Sequence, residues 1–150
     1  MSTEPILRVE GLLKHFPIKG GLFGRPKVVR AVDGISFDVA PGETLGIVGE
    51  SGCGKSTLAR LLVGLDTPTG GSIRFDGEDL VALAKADPRA LARKVQYVFQ
   101  DPLASLNPRK MAGQTIEVPL IVHHIGTPAQ RKERVRWLMS RVGMSPEMAD

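Results

Sequence analysis

Gly49-Glu50-Ser51-Gly52-Cys53-Gly54-Lys55-Ser56-Thr57 is the segment on which the reading of this chain turns. It has the pattern G-x-x-x-x-G-K-[ST]. An apolar run, Thr44 to Val48, precedes it, and leucines at 58, 61, 62 and 65 follow it. The run predicts a strand buried on both faces. The leucines predict a helix from about Ser56 to Val63, stopped by Gly64. The glycines let the backbone turn with positive φ and approach a ligand with no Cβ in the way. Successive N–H groups then face inward as an anion nest, to which the helix adds the positive end of its dipole. Strand, glycine loop and helix in this order predict an α/β fold whose loop cradles a polyphosphate.

The candidate binding residues are Gly49, Ser51, Gly52, Cys53, Gly54, Lys55, Ser56 and Thr57. Lys55 would carry a mobile ammonium to the β and γ phosphates. The Ser56 hydroxyl is the expected ligand of Mg²⁺, which prefers oxygen donors and keeps several waters. Thr57 adds a hydroxyl near the α phosphate. Cys53 is read as a small residue that fits the loop rather than a redox centre. The plainer alternative for the whole segment is a glycine-rich turn that caps a helix.

Working outward, Ile6 to Glu10 reads as a short strand, and Gly20, Gly21, Gly24 and Pro26 as a loop. Val28 to Val32 is a second apolar run, and Ile35 to Val39 alternates as a half-buried strand does. Pro41-Gly42 and Thr67 to Gly71 are turns. Ser72 to Asp76 predicts a strand closed by Asp76-Gly77, and Val95 to Phe99 another. Asp87-Pro88 has the form of an N-cap with Pro at the first helical position. Asp101 to Lys110 reads as loop, and the pattern turns helical from about Ala112. Thr127-Pro128 is a second cap. Val135, Leu138, Met139 and Val142 follow as an apolar stripe, with Gly143 closing it. Trp137, beside the stripe, is expected in core or semi-buried packing. Ser145-Pro146-Glu147 announces a third helix. Asp150 follows before that helix could complete two turns, which reads as a piece of something longer.

Composition sets outer limits. The 150 residues carry a net charge of +4, 42% hydrophobic residues and 24% charged ones, a soluble globular balance. No apolar run of about 18 residues predicts a membrane-spanning helix. The Met-Ser-Thr-Glu-Pro start lacks the form of a secretory leader. Cys53 alone cannot close an internal disulfide, which fits a reducing compartment. Basic residues gather in two groups: Arg8, Lys14, Lys19, Arg25, Lys27 and Arg30, and Arg131, Lys132, Arg134, Arg136 and Arg141. No aromatic-rich stacking motif accompanies either group, so they read as solvated faces and no nucleic acid partner is expected.

Val95-Gln96-Tyr97-Val98-Phe99-Gln100-Asp101-Pro102, downstream of Lys55, resembles the Q-loop of ABC transporter ATPases. Leu103 to Arg109 is similar to the oligopeptide/dipeptide branch of that family. So are Leu13 to Phe23 and Ala31-Val32-Asp33-Gly34-Ile35-Ser36-Phe37. The resemblance covers nearly the whole chain in collinear order. It implies an ABC-type P-loop core with an antiparallel β subdomain within residues 1–111 and the start of a helical subdomain at 112–150. It implies ATP and Mg²⁺ as cofactors, with Phe16 stacking on adenine and His15 as runner-up. Gln100 would reach the Mg²⁺ or the attacking water, and its loop would touch membrane subunits. A neutral amide suits that role because it can change partners without a change of charge. The implied function is the ATPase subunit of an importer of oligopeptides or dipeptides, peripheral on the cytoplasmic face of the inner membrane. Implied partners are transmembrane permease subunits, a second ABC ATPase subunit, identical or different, and indirectly an extracytoplasmic solute-binding protein.

Three elements of the family pattern are missing from these 150 residues: the LSGGQ-type signature, the Walker B aspartate with its glutamate, and the switch histidine. His123 and His124 precede the place of the signature and read as helix-surface residues. Asp76, Asp79 and Asp87 lack the long apolar strand that a Walker B acid follows. The segment is therefore expected to hold nucleotide and to be inactive alone. Other expectations are an importer subunit for nickel or glutathione, or another P-loop enzyme such as a small-molecule kinase.

Overall fold

Leu7–Ile18 and Lys27–Val39 form the long strands β1 and β2 of a computed structural model that describes residues 4–18, 27–101 and 105–149. The loop read at Gly20, Gly21, Gly24 and Pro26 lies outside the described residues, as do Lys19, Leu22, Phe23, Arg25, Pro102, Leu103 and Ala104. The chain forms two compact units, residues 1–96 and 97–150.

In the first unit β1 and β2 join β3 (Gly70–Phe75) and β4 (Glu78–Asp79) in an antiparallel sheet of order β2-β1-β3-β4. The sequence pattern predicts shorter strands at 6–10, 28–32 and 35–39. The structure joins the last two and carries the first on to Ile18. Bulges explain the difference. The β1–β2 register slips between Val9 and Leu12, between Leu12 and Leu13, and between Lys14 and His15. Each slip reverses which face a side chain takes, so the period-two pattern breaks while the ladder continues. The β3–β4 turn is Asp76-Gly77 with φ of 51° and 77°, the positive pair a tight hairpin demands.

One face of this sheet is covered by α1 (Lys55–Leu62), α2 (Leu80–Ala86) and α3 (Pro88–Lys94). Val9, Leu12, Val32, Leu58, Leu61, Ile73, Leu80 and Leu91 are the buried core. Helix α1 ends as predicted at Gly64: Gly64 N–H bonds to Leu61 O at 3.1 Å and Leu65 N–H to Arg60 O at 2.9 Å. That pair of bonds satisfies two of the last carbonyls of the helix. Asp87 caps α3 by accepting from the N–H groups of Arg89 and Ala90 at 3.0 and 2.9 Å. Helix α2 has no counterpart in the sequence reading. Asp79 starts it, accepting from Ala82 N–H at 2.9 Å.

Two expected strands do not form. Thr44–Val48 and Val95–Phe99 belong to no ladder among the described residues. Val48 is 93% exposed, against the burial on both faces expected of its run, and Val98 is 86% exposed. A strand needs a neighbour's N–H and C=O groups, and apolar sequence alone does not supply them.

The second unit contains α4 (Ala112–Val122), α5 (Pro128–Arg141) and a 3₁₀ turn, Pro146–Ala149, in place of the expected third helix. Thr127 and Gln130 cap α5 reciprocally, at 2.8 and 3.3 Å. The half-buried pair Arg131–Glu117, at 3.1 Å, joins the two helices. Val135 and Met139 are buried, but Val142 is exposed because it is already the C-cap. Trp137 is exposed too, contrary to the core expectation. It lies two positions from Val135, on the far side of the helix, with the guanidinium groups of Arg134 and Arg141 4.2 and 5.7 Å from its ring. His123 and His124 close α4 rather than lie along it: His123 is the C-cap and His124 takes the left-handed conformation, φ 54°.

Candidate functional site

The loop of residues 49–57 bends through two left-handed glycines, Gly52 at φ 83° and Gly54 at φ 98°. Gly54 is the N-cap of α1. A Cβ at Gly54 would run into the carbonyl oxygen of Ala31 on β2, so only glycine fits both the dihedral and the space. Ala31 is the extra residue of the bulge between the pairs Lys14–Val32 and His15–Arg30. The bulge therefore lies where the glycine loop meets the sheet. A Cβ on Gly49 would stand 2.6 Å from the sulfur of Cys53, so the loop closes tightly across its own mouth.

No side chain caps α1, and its first turn holds no acid. Its leading N–H groups and the positive dipole end are thus left to an outside acceptor, the arrangement that binds phosphate. Lys55, the first helical residue, turns its ammonium back over the loop. It donates to the carbonyls of Gly49 and Glu50 at 2.7 and 2.6 Å and lies 3.5 Å from Cys53 Sγ. Ser56 is exposed and Thr57 half-buried in the same turn. Gly49, Ser51, Gly52, Cys53, Gly54, Lys55, Ser56 and Thr57 are therefore gathered around one concave bend. Among the described residues no group of three or more His, Cys, Asp or Glu could hold a metal by itself. The exposed Ser56 hydroxyl is an oxygen donor of the kind Mg²⁺ prefers, so a Mg²⁺ would fit here beside a polyphosphate.

Phe16 pairs with Val29, two residues along β2 from Ala31. At about 3.3 Å per residue that places it roughly 7 Å along the strand from the loop contact. Its ring is 40% exposed. His15, the runner-up, is committed elsewhere: Asp33 accepts from its Nε2 at 2.9 Å and also pairs with Arg30 at 3.4 Å. The hydrogen bond from His15, more than the Arg30 guanidinium, holds the Asp33 carboxyl below its ordinary range. Gln100 belongs to the other compact unit and is exposed in the bend after residues 95–99.

Two features escape the sequence reading. One is the bulge at Ala31. The other is the corner Asp66-Thr67-Pro68-Thr69, which is legible only as a turn cluster but bonds to β1 at three successive residues. Proline and threonines signal a turn and do not say what it touches.

The family described as ABC transporter matches residues 32–150. The chain is 45% identical to the dipeptide transport ATP-binding protein DppF of Escherichia coli K12, over 98% of this chain and 44% of that protein. It is 50% identical to the oligopeptide transport ATP-binding protein AppF of Bacillus subtilis 168, over 99% and 46%. With the glutathione import ATP-binding protein GsiA of Pectobacterium atrosepticum it shares 49% identity, over 98% and 24%. The chain thus spans under half the length of these relatives. Among solved structures it resembles the dimeric ATP-binding cassette MJ0796 bound to ADP and Pi, with TM-score 0.73 and 25% identity over 95% of this chain and 60% of that one. Phosphate loop, sheet and family match agree: the chain belongs to the ABC transporter family.

Proposed function

We propose that this chain is the nucleotide-gripping part of the ATP-binding subunit of an ABC importer for short peptides. The observation that carries the reading is the uncapped N-terminus of α1 under a loop with two left-handed glycines and a lysine. On this reading the amides of residues 49–57 and the Lys55 ammonium hold the triphosphate, the Ser56 hydroxyl would hold Mg²⁺, and the family resemblance gives Gln100 a role toward the same ion. Phe16 receives the adenine. Bound Mg²⁺ would supply charge neutralisation of the phosphate oxygens. The chain's own contribution is positioning and electrostatics: Lys55 stabilises charge on the phosphates, and the Gln100 amide orients the water for in-line attack.

Dipeptides, oligopeptides and glutathione, itself a tripeptide, appear in the names of the relatives, which supports a peptide cargo. The proposed partners are permease subunits and a second ATPase subunit, with an extracytoplasmic solute-binding protein reached through the permease. The dimeric state of the similar cassette supports the second of these. Among the described residues no helix is long and apolar enough to cross a membrane. The proposed location is peripheral, on the cytoplasmic face of the inner membrane. For residues 1–150 by themselves we infer binding without turnover, since no acid follows a long apolar strand in this sequence.

Equilibrium titration with MgATP tests the reading. Lys55→Ala should weaken binding about tenfold to a hundredfold, because a charge-assisted contact is removed. Unchanged affinity would remove Lys55 from the site. Phosphate release by residues 1–150 at the rate of a complete ABC ATPase would overturn binding without turnover.

A further inference from the structure

The corner between α1 and β3 ties the phosphate-binding helix to the strand that carries Phe16. Arg60 near the end of α1 pairs with Asp66 at 2.8 Å, and the N–H groups of Leu65 and Asp66 return to the Arg60 carbonyl at 2.9 and 3.3 Å. Arg60 holds the Asp66 carboxyl below its ordinary range, with a smaller contribution from the Lys14 charge. From this corner three bonds reach β1. Thr69 N–H donates to Leu13 O at 2.8 Å, Lys14 Nζ donates to Thr67 O at 2.6 Å, and His15 N–H donates to Thr69 Oγ1 at 3.1 Å. The next residue is Phe16, and the Lys14 ammonium stands 5.0 Å from the centre of its ring.

A cation over an aromatic face is held by the ring's negative quadrupole, and it excludes any other ring from that face. We propose that Lys14 is a positioning residue for the purine: tied to Thr67 and standing over one face of Phe16, it leaves the opposite face for the base. The inference rests on the nucleotide reading above and deepens it. The ammonium draws the ring's electron density toward itself, which leaves the far face less negative and better suited to an electron-rich purine. The corner couples the two ends of the nucleotide, because α1 begins at the phosphates and ends at the anchor of Lys14. Lysine suits the task since one of its three donors binds the carbonyl while its charge still faces the ring.

Calorimetric titration of the protein with MgATP and, separately, with magnesium tripolyphosphate tests this. Lys14→Met keeps the stem and removes the charge. It should weaken MgATP about threefold to tenfold and leave tripolyphosphate within about twofold. Lys14→Arg, which can still place a cation over the ring, should restore most of the loss. In a Phe16→Ala background Lys14→Met should cost nothing more. Equal weakening toward both ligands, no weakening toward MgATP, or a full additional loss in the Phe16→Ala background would each overturn the proposal. The underlying reading fails differently. Unmodified protein that binds tripolyphosphate as tightly as MgATP has no base contact, which removes Phe16 and Lys14 together. Protein that binds neither ligand has no phosphate site at all.

Discussion

Strand β1 and the segment Thr44–Val48 are alike in composition and opposite in fate. Each carries a glycine, Gly11 in β1 and Gly46 in the other, among β-branched and leucine side chains. In β1, Val9 and Leu12 are almost wholly buried, with hydrogen-bonded neighbours on both sides. Residues 44–48 join no ladder among the described residues, and Val48 stands open to solvent. Strand propensity describes what a pleated, half-buried surface accepts; it does not build that surface. β1 finds one partner, β2, next in sequence, and the antiparallel β3 joins it from much farther along the chain. A run buried on both faces in a parallel sheet finds its partners only through long crossovers.

That contrast can be broken by measuring what each region contributes to stability. Leu61→Ala, in the core beneath β1, should cost about 2–5 kcal/mol in chemical denaturation, through lost burial and the cavity left behind. Val48→Ala should stay within about 0.5 kcal/mol, as an exposed substitution does. Comparable losses would mean that 44–48 is packed after all. A smaller effect sharpens the comparison in the second unit, where stability leans on helix caps. Thr127→Ala should cost about 0.5–2 kcal/mol, because Gln130 N–H loses its acceptor. Far-ultraviolet circular dichroism melts would read this, and an unchanged melt would show that the cap is dispensable.

The smallest expected effect is in acid. Asp33 and Asp66 both have carboxyl pKa values lowered in the folded chain, by His15 and by Arg60. A lowered folded value means that the unfolded chain takes up protons first. The stabilisation is therefore complete above the ordinary carboxylate value, near pH 4, and lost as pH falls below it. Both pairs are partly exposed, so solvent and salt reduce the effect. Melting temperature should fall between about pH 4 and pH 2, and less steeply in Asp66→Asn. An identical slope in that variant would free Asp66 from the account.

The glycine loop was the most legible part of the molecule, because its chemistry is local: glycines, lysine and hydroxyls adjacent in sequence are adjacent in space. The caps at Asp87 and Thr127 were legible for the same reason. Strand lengths were not, because the bulges at Gly34 and Ala31 scramble a period-two pattern without ending the ladder. The proposed role of Phe16 rests on family resemblance, and the contact of Lys14 with Thr67 is marked by no sequence pattern. Thr67 is distant in sequence and offers a backbone carbonyl. Trp137 lies outside the core although it borders an apolar stripe, because two positions rotate a side chain to the far side of a helix.

The Lys55 ammonium holds two carbonyls of its own loop, which ties the bend together from inside. Any anion that competes for that cation must offer it more than two peptide dipoles do. On the proposed reading, a chain of phosphates that also engages the helix amides meets this demand better than a singly charged ion. The tie would then act as a threshold, filtering a crowded ionic milieu by charge before any base is inspected.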